Sequence, residues 1–179
     1  MSKLETNTID TVSGTSNLII GSTNTSTITM PSGEVTGHMY PAFEAHSNTN
    51  QSLTDNTYAK VNLQTEILDT DSNFSSSRFT PTTAGKYYFE GQARGLSSSN
   101  SALRNMYTAI YKNGSIYKES RILYHGQEIT LSSVQVSAII DMNGTSDYVE
   151  AVGYLYNTGS NNQITGSNRT VFGGYRIGT

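Results

Sequence analysis

The sequence contains no cysteine. Disulfides, zinc–thiolate sites, iron–sulfur clusters and thiol nucleophiles are therefore excluded. Charge is scarce as well. Asp, Glu, Lys and Arg make up 14% of residues, against about 25% in an average globular domain. The net charge is −3 and no Lys/Arg cluster occurs, which argues against a nucleic-acid-binding surface. No run of 18 or more apolar residues is present, so no membrane-spanning helix and no membrane insertion are expected. The start, Met1-Ser2-Lys3-Leu4-Glu5-Thr6, lacks the apolar segment of a secretion signal. A Gly-x-Ser-x-Gly nucleophile turn and a phosphate-binding Gly-Lys-Ser/Thr loop are both missing.

What the chain has instead is small polar residues: 24 Ser, 24 Thr and 16 Asn. It also has 12 Tyr and 5 Phe, concentrated after residue 40. Disordered chains have few aromatics, so this composition points to a packed domain over residues 41–179. Residues 1–40 differ: they hold one aromatic, Tyr40, and short apolar runs between Ser, Thr and Asn. These runs include Leu18-Ile19-Ile20 and the pair Ile28 and Met30, with Thr27–Met30 alternating at the strand period. Two readings stand. Residues 1–40 are either a flexible lead-in or an arm of short strands that order against neighbouring subunits. The second is preferred, because Leu18, Ile19, Ile20, Ile28 and Met30 would have nothing to pack on in a linker.

Residues 41–179 read as strands throughout. Lys86–Arg94 places Tyr87, Phe89, Gly91 and Ala93 on one face and Tyr88, Glu90, Gln92 and Arg94 on the other. Val134, Val136, Ala138, Ile140 and Met142 form a second alternating face, and Val149, Ala151, Gly153 and Leu155 a third. Asn113-Gly114 is the signal for a type I′ hairpin, whose two central residues need positive φ. Asn143-Gly144 predicts a slightly longer loop. Leu103, Met106 and Ile110 have helical spacing, but Tyr107–Tyr111 has strand composition and runs into the Asn-Gly turn, so a strand is expected there. About eight such strands imply a sandwich or barrel.

Five segments in order carry a resemblance. They are Pro41-Ala42-Phe43-Glu44-Ala45, then Phe79-Thr80-Pro81 followed by Gly85-Lys86-Tyr87-Tyr88-Phe89, then Ile110–Gly114, Asp147–Ala151 and Phe172-Gly173-Gly174-Tyr175-Arg176-Ile177. Together they resemble the globular domain of complement component 1q, within the tumour-necrosis-factor-like superfamily. The resemblance implies an all-β, ten-stranded jelly-roll sandwich that forms a homotrimer. Its motif residues here are Phe43, Phe79, Gly85, Tyr87, Phe89, Asn113, Gly114, Val149, Phe172, Gly173 and Tyr175. Phe43, Phe79, Tyr87, Phe89, Val149, Ala151 and Phe172 are the core candidates, and the Tyr-rich second faces are candidates for a subunit contact.

Without a collagen-like stalk or secretion signal, and with a Ser/Thr/Asn-rich lead-in, the chain is similar to structural proteins of tailed bacteriophages. That similarity implies a non-enzymatic virion structural protein, made in the host cytoplasm and displayed on the virion surface. Capsid decoration and tail fibre are equally open. Residues 1–40 would bind other virion proteins, and the displayed domain would contact a host-surface glycan. The alternative is a soluble carbohydrate- or receptor-binding module not tied to a particle. No cofactor is expected. Asp69-Thr70-Asp71 fits the first ligand positions of a calcium loop, but Phe74 stands where Gly is needed and Thr80 where Glu is needed. Asp69 and Asp71 are thus weak calcium candidates. Glu44, Glu66, Asp69, Asp141 and Glu150 show no spacing that marks an acid pair. His38, His46 and His125 lack metal-ligand spacing. The loops Leu96–Leu103 and Asn157–Asn168 are long and polar enough to carry recognition.

Overall fold

The computed structural model describes residues 41–97, 103–125, 129–159 and 162–178. The expected arm, with Leu18, Ile19, Ile20, Ile28 and Met30, lies outside the described residues, as does His38. Thirteen strands follow in order: β1 (Ala42–His46), β2 (Gln51–Leu53), β3 (Thr57–Lys60), β4 (Thr65–Asp69), β5 (Phe74–Ser75), β6 (Arg78–Phe79), β7 (Gly85–Ser97), β8 (Leu103–Lys112), β9 (Ser115–Leu123), β10 (Leu131–Met142), β11 (Val149–Asn157), β12 (Asn162–Ile164) and β13 (Val171–Gly178). All described pairings are antiparallel.

The strands form two sheets. In the seven-stranded sheet, β10 pairs with one edge of β7, and β13 and β12 share its other edge. β1 and then β4 continue outward from β13, while β2 continues from β12. The six-stranded sheet runs β9, β8, β11, with β3 and β6 sharing the far edge of β11 and β5 beyond β6. This is a jelly-roll sandwich. The strand count exceeds ten because turn residues cut the chain between β1 and β7 into five short pieces. Asn56, Ser72, Ser76 and Ser77 all take positive φ there and reverse the chain every few residues.

Alternation decides which face is buried. Along β7, Tyr87, Phe89, Gly91, Ala93 and Gly95 face the interior and are buried, while Tyr88, Glu90, Gln92 and Arg94 are half-exposed. Along β10, Val134, Val136, Ala138, Ile140 and Met142 are buried against the same core. Leu103–Lys112 is a strand, not a helix: its register with β11 and β9 uses the backbone groups a helix would have consumed. The interior is dominated by aromatic rings. Phe43 stacks on Phe79 at 4.3 Å and on Phe74 at 5.1 Å, and meets Phe172 edge-on at 5.1 Å. Phe89 stacks on Tyr87 at 5.8 Å and on Phe172 at 6.1 Å. Rings thus supply the mass that the low aliphatic content withholds, and offset and edge contacts add to their area burial.

β10 is one open edge of the larger sheet, with β4 and β2 at its other ends. Side chains of the other sheet reach across and hydrogen-bond its carbonyls. Tyr117 Oη donates to Ile139 O at 3.2 Å, and Lys112 Nζ donates to Asp141 O at 2.7 Å.

Candidate interaction face

The outer surface of the seven-stranded sheet carries a row of apolar side chains set by strand register. Ile139 on β10 lies opposite Tyr88 on β7, and Tyr88 lies opposite Tyr175 on β13. The two tyrosine rings are 5.6 Å apart. Ile139 is 57% exposed and Tyr175 51%. Tyr175 therefore sits on this outer face, with Ile177 and Leu68 also exposed near it, rather than in the core.

The next row is polar and has a gap. Ser137, Glu90, Gly173, Glu44 and Leu68 lie side by side across β10, β7, β13, β1 and β4. Gly173 contributes no side chain, so Glu44, Leu68, Tyr88, Glu90, Val171 and Tyr175 surround a shallow hollow of about 340 Å³. Glu90 is held in place, accepting hydrogen bonds from Tyr88 Oη (3.0 Å) and Gln135 Nε2 (2.6 Å). The sequence pattern put Tyr88 and Glu90 on this face. It did not single out Ile139, whose signal was a second apolar residue beside Ile140 in an otherwise alternating strand.

The remaining motif residues have structural positions. Phe43, Phe79, Tyr87, Phe89, Val149, Ala151 and Phe172 are all buried in one cluster. Gly85 opens β7 beside Gly178, the last residue of β13 to pair. Asn113 and Gly114 have φ of 53° and 79° and form a two-residue turn between β8 and β9. This turn is tied to the β10–β11 loop. Asn113 Nδ2 donates to Asp147 Oδ1 at 2.8 Å, Tyr148 N donates to Asn113 Oδ1 at 3.0 Å, and Lys112 Nζ reaches Asp147 Oδ2 at 2.9 Å. Two segments of the sequence resemblance, Lys112-Asn113-Gly114 and Asp147-Tyr148, are thus direct partners. The hydrogen bond from Asn113, then that from Lys112, holds the Asp147 carboxyl below its usual range, although partial burial opposes them. A carboxyl lowered in the folded state stabilises at pH above its unfolded value, about 3.9, and loses that contribution as pH falls through the folded value. The midpoint gap between the native chain and Asp147→Asn in thermal melts is therefore expected to be full at pH 6 and to shrink below about pH 4. A constant gap from pH 6 to pH 2 would show that the charge on Asp147 is irrelevant.

Asp69 serves a turn. Its two oxygens accept the backbone N–H groups of Asn73 (3.0 Å) and Phe74 (2.8 Å), and Asp71 is exposed. Among the described residues no three His, Asp or Glu side chains are grouped to hold a metal. Asp141 pairs with Lys86 at 3.1 Å, Glu66 is exposed on β4, and Glu150 pairs with Arg78 and Lys60. His46 lies on the outer face of β1 and His125 is exposed after β9. The expected loop Asn157–Asn168 holds the short strand β12 instead, because Asn162–Ile164 pairs with β2 and β7, and the last residues of β11 and β7 meet: Asn157 Nδ2 donates to Ser97 Oγ at 2.7 Å. Asp55, which the sequence did not flag, accepts from Asn157 N (2.8 Å) and Asn162 Nδ2 (2.6 Å).

The outer face of the smaller sheet is also aromatic, but its rings cover one another. Tyr107 stacks on Tyr154 at 4.5 Å and Tyr58 lies 4.9 Å from Tyr154. Tyr58 Oη donates to Glu119 Oε2 at 2.6 Å. Burial, then this bond to a carboxylate, pushes the Tyr58 hydroxyl well above its ordinary value.

No family model matches the sequence, and no curated protein matches it. Solved structures do. The globular domain of zebrafish complement 1qA is 15% identical, with a TM-score of 0.54, covering 76% of this chain and 97% of that one. Murine APRIL is 11% identical, with a TM-score of 0.57, covering 77% of this chain and 99% of that one. Eiger TNF from S. frugiperda is 14% identical, with a TM-score of 0.53, covering 78% of this chain and 93% of that one. The two-sheet arrangement is a complement-1q/TNF-like jelly roll, and at these identities the likeness concerns the fold.

Proposed function

We propose that the chain is a non-enzymatic, trimeric virion structural protein, a capsid decoration or fibre component. Its jelly roll is displayed outward and touches a host-surface glycan, while residues 1–40 anchor it to other virion proteins. The observation that carries the trimeric part is the exposed row Ile139, Tyr88 and Tyr175 on the larger sheet. Large contiguous apolar patches on a soluble domain mark interaction surfaces, and aromatics are enriched in interface cores. Scarce charge suits a surface that packs on copies of itself, because few ions need desolvation. Three arms per assembly give avidity without a strong single contact. The carbohydrate-binding alternative, free of any particle, is favoured by one separate feature, the polar hollow treated below.

Light scattering of the purified chain is expected to give three chain masses. The double variant Ile139→Glu, Tyr175→Glu is expected to give one, with the far-ultraviolet spectrum unchanged. A trimer that survives this variant would place the contact elsewhere, and a native monomer would remove the trimer altogether. Removing residues 1–40 is expected to leave the trimer intact and abolish its association with particles. Electron microscopy of intact particles then distinguishes capsid from tail.

A further inference from the structure

The geometry points to a binding site for an acidic sugar, a monosaccharide ring bearing a carboxylate, in a hollow beside the β5–β6 hairpin. This rests on the glycan-contact part of the reading above and is independent of the trimer. The hollow measures about 540 Å³, within the usual range for small-molecule sites, about 300–1,000 Å³.

Its charged lining is Lys60 and Arg78, and no carboxylate lines it. The two cations share one partner behind the wall. Glu150, only 7% exposed, has its Oε1 3.0 Å from Arg78 Nη2 and 3.4 Å from Lys60 Nζ. Arg78 Nε donates to the same oxygen at 3.0 Å. One buried carboxylate thus offsets two cations, leaving a net positive charge at the mouth. The guanidinium lies over the Tyr148 ring, with its carbon 3.7 Å from the ring centroid. Its Nη1 hydrogens remain for a ligand carboxylate, the planar acceptor that Arg matches best.

The rest of the lining suits a polyol. Ser72, Ser75, Ser76 and Thr80 line the hollow, and their hydroxyls have no hydrogen-bond partner within the described residues. Asn73 also lines it, is 9% exposed, and its side-chain nitrogen has no partner. The backbone here is strained too. Ser72, Ser76 and Ser77, with φ of 55°, 51° and 59°, are the described positive-φ residues that are neither Gly nor Asn. Such strain gathers at functional sites. A bare anion would use only the cations, whereas a carboxylated sugar uses the cations and the hydroxyls together.

The test is calorimetric titration of the full chain with glucuronate and N-acetylneuraminate, alongside glucose, acetate and inorganic phosphate. Binding is expected for at least one acidic sugar and not for glucose. The arm that binds tells a uronate from a nonulosonate source. Arg78→Gln is expected to weaken binding by about tenfold or more, the fold-change of one lost charge-assisted hydrogen bond. Because that change also disturbs Glu150, Ser75→Ala and Thr80→Ala are measured as well. Each is expected to weaken binding about threefold or more while leaving the melting midpoint unchanged. Acetate or phosphate binding as tightly as the sugars, glucose binding equally well, or no binding at all would each overturn the site. Light scattering on the same samples keeps the trimer result separate.

Discussion

Phe43→Ala is expected to lower the unfolding free energy by about 3–5 kcal/mol, the usual range for a phenylalanine deleted from a packed core. Phe43 is 2% exposed and lies within ring contact of Phe74, Phe79, Phe89 and Phe172. It stands on β1, whose backbone pairs with β13 on one side and β4 on the other. Removing the ring opens a void with aromatic walls, and stacked rings tied to separate strands have little freedom to close it. Single domains have total stabilities of about 5–15 kcal/mol, so this loss takes a large share. Urea unfolding at fixed protein concentration is the measurement, since subunit association would otherwise shift the midpoint. A loss below about 1 kcal/mol would mean that the ring cluster collapses freely around the gap.

Gly144→Ala is expected to be strongly destabilising, and Gly114→Ala supplies its control. Both residues take left-handed φ, 70° and 79°, and a side chain there costs about 1–2 kcal/mol. Their surroundings differ. A Cβ on Gly144 would lie 2.7 Å from Thr83 C and closer still to Ala84 N, both backbone atoms of the segment before β7. A Cβ on Gly114 would meet only Tyr148 Oη, the far end of a side chain, at 3.4 Å. Overpacking adds about 1–3 kcal/mol where the neighbour cannot yield. Gly144→Ala should therefore lose about 2–5 kcal/mol and Gly114→Ala about 1–2 kcal/mol. Equal losses in thermal melts would show that backbone conformation alone decides and that the contact between the two loops is slack.

The parts legible in the sequence were those governed by short-range rules. Strand alternation assigned the two faces of β7 and β10 correctly. The Asn113-Gly114 turn and the rejection of a helix over Leu103–Lys112 follow from local chemistry in the same way. The folding together of distant segments was visible only through the resemblance, because no local pattern says that Lys112 and Asn113 will grip Asp147. The interaction face was half legible. Tyr88 and Tyr175 stood in outward positions, but their alignment with Ile139 depends on pairing β7 with strands about fifty and ninety residues away. The polar hollow was not legible at all. Lys60, the hairpin residues Asn73 and Arg78, and Glu150 come from three places in the chain, and Ser72, Ser76 and Ser77 read as ordinary polar filler until their positive φ is known.

The side chains laid over the open edge of β10 have a consequence for life in a crowd. An exposed strand edge is a template on which another chain can add itself, and that is how sheets grow into fibrils. Here Tyr117 and Lys112 already occupy two of the carbonyls that a newcomer would need. Copies at high local concentration are thereby hindered from adding a strand along β10. In a chain this poor in repelling charge, the β10 edge is guarded by hydrogen bonds instead.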